Sequence, residues 1–117
     1  KASQQMKLIY LHGPPASGKY TIASVLEATH GIRNFHNHLT IDVSKAFFEF
    51  GTDDFWDLTH LLRRTTIAAV AEVGGESVVF TNCYSSPQDD PNVAALEDAV
   101  TSRGGEFVPV FLECSLE

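Results

Sequence analysis

Apolar residues along this chain fall into short continuous runs that alternate with stretches spaced at three and four residues. Within Met6 to His12 the run Leu8-Ile9-Tyr10-Leu11 is apolar at successive positions, which predicts a short strand covered on both faces. Ser77 to Tyr84 and Phe107 to Cys114 repeat the signature, and a shorter strand is expected at about Arg33 to His36. Ile22, Ala23, Val25 and Leu26 predict a helix from Lys19 to about His30, ended by Gly31 in a left-handed cap. Ile41, Val43, Phe47, Phe48 and Phe50 predict a short helix over Thr40 to Phe50, closed by Gly51. Thr52 then caps a long helix whose first turn carries Asp53 and Asp54, suited to the positive end of its dipole. Phe55, Leu58, Leu62, Thr66, Ala69 and Val73 are its expected buried face, and Gly74-Gly75 ends it. Asp90 followed by Pro91 opens a last helix that carries Val93, Leu96 and Val100 and stops at Gly104-Gly105.

Strands that are apolar throughout and alternate with helices imply parallel strands joined by right-handed crossovers. The expected fold class is α/β, a three-layer doubly wound parallel sheet forming one domain over residues 1–117. Apolar residues make up 44% and charged residues 20% of the 117, ordinary globular usage, so disorder and a disulfide-stapled miniprotein are both disfavoured. A net charge of -7 argues against a nonspecific grip on nucleic acid. No apolar run approaches the roughly 20 residues of a membrane span, and Lys1 to Gln5 has no signal-peptide character. Cys83 and Cys114 both sit inside apolar runs, as a reduced pair would, and the expected location is cytoplasmic.

The chemistry concentrates directly after the first strand. Gly13-Pro14-Pro15-Ala16-Ser17-Gly18-Lys19 has the spacing at which backbone N-H groups curl around phosphate oxygens while Lys19 reaches the terminal phosphates. Glycine allows close approach and unusual dihedrals, and the helix that follows aims its unpaired N-H groups at the anion. The expected ligand is ATP, held by Gly13 through Lys19 with Tyr20 and Thr21 beside it. The usual motif places Ser or Thr directly after the Lys as a Mg²⁺ ligand; here Tyr20 stands there and the hydroxyl comes at Thr21, the one candidate for Mg²⁺.

The loop with its Lys-Tyr-Thr ending resembles the adenylate-kinase form of the P-loop, in which a residue without a hydroxyl and then Thr also follow the Lys. Phe35-His36-Asn37-His38-Leu39-Thr40-Ile41-Asp42 resembles a group of P-loop small-molecule kinase-like proteins, described as AAA-type or shikimate-kinase-like. The resemblance implies a P-loop NTPase fold of the nucleotide-kinase kind and transfer of the γ-phosphoryl group of ATP to a hydroxyl of a small metabolite. Shikimate kinases carry two aspartates in that segment where Asn37 and Leu39 stand here. Similar kinases also continue past the position of Glu117 into a lid and a last strand, so the expectation is either a C-terminally incomplete domain or one whose lid has been lost.

On the acceptor side His38 and Asp42 are the nearest proton acceptors, with local packing and a solvated first helical turn as their plainer readings. His36 and His38, two apart, would share one side of an extended strand and face substrate or begin a metal site. Arg63 is expected beside the buried face of the long helix, where it could grip a carboxylate or phosphate, and Arg64 opposite, among Asp53, Asp57 and His60. Asn82 ends the third strand where P-loop proteins usually carry an acid, and could hold a water or a substrate hydroxyl. Asp89 could add charge to the site, whereas Asp90 reads as a helix cap. Two alternatives stand beside the metabolite kinase: a nucleoside monophosphate kinase, favoured by the loop, and a non-catalytic nucleotide-binding module, favoured by the missing acid.

Overall fold

The computed structural model describes residues 6–13, 18–82 and 90–112, with Asp90 described by its backbone alone. Strand β1 spans Lys7–His12, β2 Arg33–Phe35, β3 Ser77–Asn82 and β4 Glu106–Phe111. Helix α1 spans Lys19–His30, α2 Asn37–Lys45, α3 Asp53–Val73 and α4 Asp90–Thr101. The four strands form one parallel sheet in the order β2-β3-β1-β4.

Register explains the layering. Leu8 stands beside Val78 and Phe107, and Tyr10 beside Phe80, so these side chains share one face. On that face they pack with Ile67 and Ala71 of α3 and with Leu96, Ala99 and Val100 of α4. The intervening positions Leu11 and Val79 turn to the other face and meet Ala23 of α1, with Ile9, Leu26, Ile32 and Val110 around them. The doubly wound three-layer arrangement expected from the apolar runs is thus present.

Three elements depart from the expected pattern. The short helix begins at Asn37 instead of Thr40 and ends at Lys45, leaving Phe47 and Phe50 exposed in the turns that follow. His36 keeps extended dihedrals just ahead of it (φ -66, ψ 136), but His38 lies inside α2, so the two histidines do not share a strand face. On α3 the buried series is Phe55, Thr59, Arg63, Ile67 and Ala71, while Val73 is 85% exposed. The series runs at strict four-residue steps and includes two polar residues, which an argument from apolar spacing cannot see; hydrogen bonds make their burial tolerable. Strand β3 is described to Asn82; Cys83, Tyr84 and Asp89 lie outside the described residues, as does Cys114 beyond β4.

Thr52 caps α3 as expected, its Oγ1 accepting from the Phe55 amide at 3.2 Å. The turn from α4 into β4 depends on Gly105, because a Cβ there would stand 2.7 Å from Val100 Cγ1 and 2.9 Å from the Met6 carbonyl oxygen. Gly105→Ala is expected to cost about 1–3 kcal/mol through overpacking. Thermal denaturation checks this, and an unchanged midpoint would mean that the turn relaxes freely.

Candidate functional site

Two features make the mouth of the sheet. The first is the loop after β1. The Gly13 amide donates to the Asn82 carbonyl at 3.3 Å, which ties the loop's start to the end of β3. Gly18 adopts a left-handed conformation (φ 85), ordinary for glycine and costly for other residues, and so turns the chain into α1. Pro14, Pro15, Ala16 and Ser17 lie outside the described residues. Lys19, the first residue of α1, is fully buried, with Nζ 4.8 Å from the centroid of the Tyr20 ring. That ring stacks on His38 (centroids 5.9 Å, 26° between planes), so the start of α1 and the first turn of α2 meet. Thr21 is exposed between the buried positions Lys19 and Ala23, rotated about 200° from Lys19, and borders a shallow depression with Ser24, Val25 and Ala28. His36 and Asp42 are exposed.

The second feature is built on Arg63. Only 4% exposed, it donates through Nε to Thr40 Oγ1 at 3.1 Å and through Nη2 to Asn37 Oδ1. Its guanidinium carbon lies 5.3 Å from the centroid of the Phe80 ring. One turn earlier on α3, Thr59 donates to Ser44 Oγ at 2.7 Å. These bonds join α2 to α3, so Arg63 sits inside the fold as a strut and reaches the site from within.

Arg63 also lines a narrow cleft at the ends of β1 and β3, together with Tyr10, His60, Arg64, Asn82 and Asn92. Arg64 therefore does not stand apart on an outer face: it and His60, at i and i+4, look into the same cleft as Arg63. Asn82 Nδ2 donates to Tyr10 Oη at 3.0 Å, and His60 pairs with Asn92 of α4 at 3.3 Å. Because the Asn82 carbonyl holds the Gly13 amide, loop and cleft share one residue. Asn37, Thr40, Tyr10, His60 and Asn92 were not expected in these roles. The i, i+4 pair His60 and Arg64 was visible along the chain, but nothing local links His60 to Asn92.

His12, the last residue of β1, stacks on Tyr10 at 5.2 Å and meets Phe111 at 5.2 Å. Desolvation by burial lowers its pKa below the usual value of 6.5. As pH falls below 6.5 the unfolded chain takes up a proton that the folded chain still refuses, so stability declines from there down to the lowered folded value. Melting temperatures between pH 7.5 and 5 are expected to fall, and more shallowly in His12→Phe; equal slopes would remove His12 as the cause.

Among the described residues no group of three or more His, Cys, Asp or Glu side chains could hold a metal ion, and no helix is long and apolar enough to cross a membrane.

No protein-family model matches the sequence, and no curated protein is similar enough to match it. Solved structures do match. The chain is similar to a protein of Chloroflexus aurantiacus assigned to the kinases, with a TM-score of 0.67 and 17% identity over 97% of this chain and 61% of that one. It is similar to the APS kinase of Mycobacterium tuberculosis, with a TM-score of 0.68 and 19% identity over 95% of this chain and 78% of that one. A sugar kinase from Janibacter matches at 0.60 and 18% identity, over 92% of this chain and 60% of its own. The chain thus spans about three fifths of the length of two of these proteins. At these identities the likeness establishes the P-loop kinase fold and leaves substrate open.

Proposed function

We propose that this chain binds ATP through the loop Gly13–Lys19 and forms the phosphate-holding part of a kinase that transfers the γ-phosphoryl group to a hydroxyl of a small metabolite. The observation that carries this reading is Lys19, a fully buried cation at the first position of α1, directly behind the left-handed Gly18. A desolvated ammonium at a helix N-terminus, where the dipole is already positive, suits a polyphosphate and little else. Lys19, held at the start of α1, would stabilise charge on the transferring group together with the amides of the loop. His38, exposed like Asp42 but stacked on Tyr20 next to Lys19, is for that contact the assigned proton acceptor for the attacking hydroxyl, in preference to Asp42. His38→Gln is expected to lower turnover by about 10²-fold with nucleotide affinity kept. If Asp42→Asn alone has that effect, the assignment passes to Asp42.

The described residues do not compose a resident Mg²⁺ site. Tyr20 stacks on His38 in place of a ligating hydroxyl, and Thr21 is turned away from Lys19. Mg²⁺ would arrive as part of the nucleotide, held by phosphates and water as this ion commonly is. Titration calorimetry with a non-hydrolysable ATP analogue, with and without Mg²⁺, on the parent and Lys19→Ala tests the binding. A panel of hydroxyl acceptors tests the transfer. Asn82, standing at the end of β3 where P-loop proteins usually carry an acid, favours a second reading, a nucleotide-binding module without turnover. Nucleotide affinity with no transfer to any acceptor would select it.

A further inference from the structure

We infer that Asn34 of β2 and Thr81 of β3 hold one buried water beneath the first turn of α1, and that through it they position Lys19 for the phosphates. The water site stands on the fold alone; the positioning of Lys19 rests on the nucleotide reading of the loop. Among the buried side-chain atoms of the described residues, Thr81 Oγ1, Asn34 Nδ2 and Asn34 Oδ1 have no hydrogen-bond partner in the protein. Thr81 is fully covered. Buried polar groups are almost always paired, with protein or with ordered water, so three such atoms in one place call for a ligand.

The sheet brings the two residues to one face. Asn34 stands beside Val79 in the β2 and β3 register, and Thr81 lies two residues further along β3, beside Leu11 of β1. Val79 and Leu11 belong to the core under α1, and Ile32 packs with them, whereas Phe35 turns to the core under α3 and α4. Alternation along β2 therefore sends Asn34 to the α1 face, with Thr81. One strand spacing across and two residues along separate their Cβ atoms by about 8 Å, too far for a direct hydrogen bond between such short side chains. Their polar atoms can approach to about 4–5 Å, the span of two hydrogen bonds meeting at one water. The amide N-H groups and the hydroxyl donate, while the amide and hydroxyl oxygens accept. That mixture suits water; a cation would meet the amide hydrogens and an anion the amide oxygen.

Helix α1 crosses above this pair. It packs on β3 with β2 and β1 to either side, and its buried residues are Lys19 and Ala23. Ala23 meets Val79 and Leu11. Lys19 stands four residues, about 6 Å, nearer the loop than Ala23, and Thr81 two residues, about 6.6 Å, beyond Val79. Thr81 thus lies under the turn that joins Lys19 to Ala23. A water held there sets the height of that turn, and a displacement of about 1 Å is enough to be felt at a phosphate site.

A high-resolution crystal structure of the parent is expected to show a water within about 2.7–3.2 Å of Thr81 Oγ1 and of an Asn34 side-chain atom. Absence of that density, or direct protein partners for both residues, would overturn the site. Thermal denaturation of Thr81→Val, Asn34→Leu and the double variant tests it in solution. Each single substitution is expected to lower the midpoint by about 3 °C or more, because it leaves the other residue without its bridge, and the double to lose less than the sum. Single variants at least as stable as the parent, or additive losses, would mean separate orphaned atoms and no shared water. In calorimetry Thr81→Val should bind the ATP analogue roughly fivefold more weakly, or worse, while Thr81→Ser, which keeps the hydroxyl, stays close to the parent. If the melting pattern holds and Thr81→Val binds the analogue as the parent does, the water stands and its hold on Lys19 falls. If the parent itself binds no analogue, the nucleotide reading falls and the positioning of Lys19 with it, while density and melting still decide the water.

Discussion

Lys19→Ala is expected to abolish calorimetrically detectable binding of an ATP analogue and to lower phosphoryl transfer by roughly 10²–10³, the usual consequence of deleting one preorganised charge donor. The size of the effect follows from burial. An exposed lysine exchanges one hydrated partner for another and gains little, whereas Lys19 is fully covered and already desolvated, so its attraction for a polyphosphate is weakly screened. The variant should keep its secondary structure, because Ala is a good helix former at this position. Unchanged far-ultraviolet circular dichroism would establish that. Lys19→Met separates charge from volume and should behave as Ala does in binding. Affinity within threefold of the parent in either variant would mean that the ammonium does not meet the phosphates.

Arg63→Ala should destabilise the whole domain, by about 3–5 kcal/mol on the scale of removing one member of a buried charged network. The variant loses two hydrogen bonds and the contact with Phe80, and it leaves Asn37, itself 9% exposed, without its donor. For a domain of this size that corresponds to a fall in melting temperature of roughly 10 °C or more. Arg63→Lys keeps the charge and gives up the fork, so an intermediate loss is expected. The decisive comparison is a double-mutant cycle with Asn37→Ala, whose combined effect should fall short of the sum because the two residues share one interaction. Additive losses, or a loss below 1 kcal/mol for Arg63→Ala alone, would contradict the role of strut.

The same two residues show how far the chain could be read before its fold was in view. Lys19 was legible because its surroundings are local: a strand of apolar residues, two glycines and a helix start all lie within a few positions of it. Arg63 was recognised as close to a buried face, but its partners Asn37 and Thr40 are 26 and 23 residues away. Apolar spacing placed the face of α3 on Leu62, Thr66 and Val73, and missed that Thr59 and Arg63 are inside while Val73 is outside. The error has a physical source: periodicity scores a polar residue as solvated, and only a tertiary partner reverses that. His36 and His38 failed in the other direction, since two-residue spacing has meaning only in a strand and α2 had already begun at Asn37.

What this sequence determined by itself is the order of strands and helices, the parallel sheet they demand, and the glycine turn at Gly18 that leads into the first helix. Each of these follows from neighbours in the chain, through the burial of short apolar runs, the permissiveness of glycine and the polarity of a helix end. Tertiary structure alone decided that Arg63 is an internal strut, and brought His60 of α3 against Asn92 of α4 at the end of β3. Hydrogen bonds across 15 to 32 residues settle those matters, and their geometry exists only once the sheet has set its helices side by side.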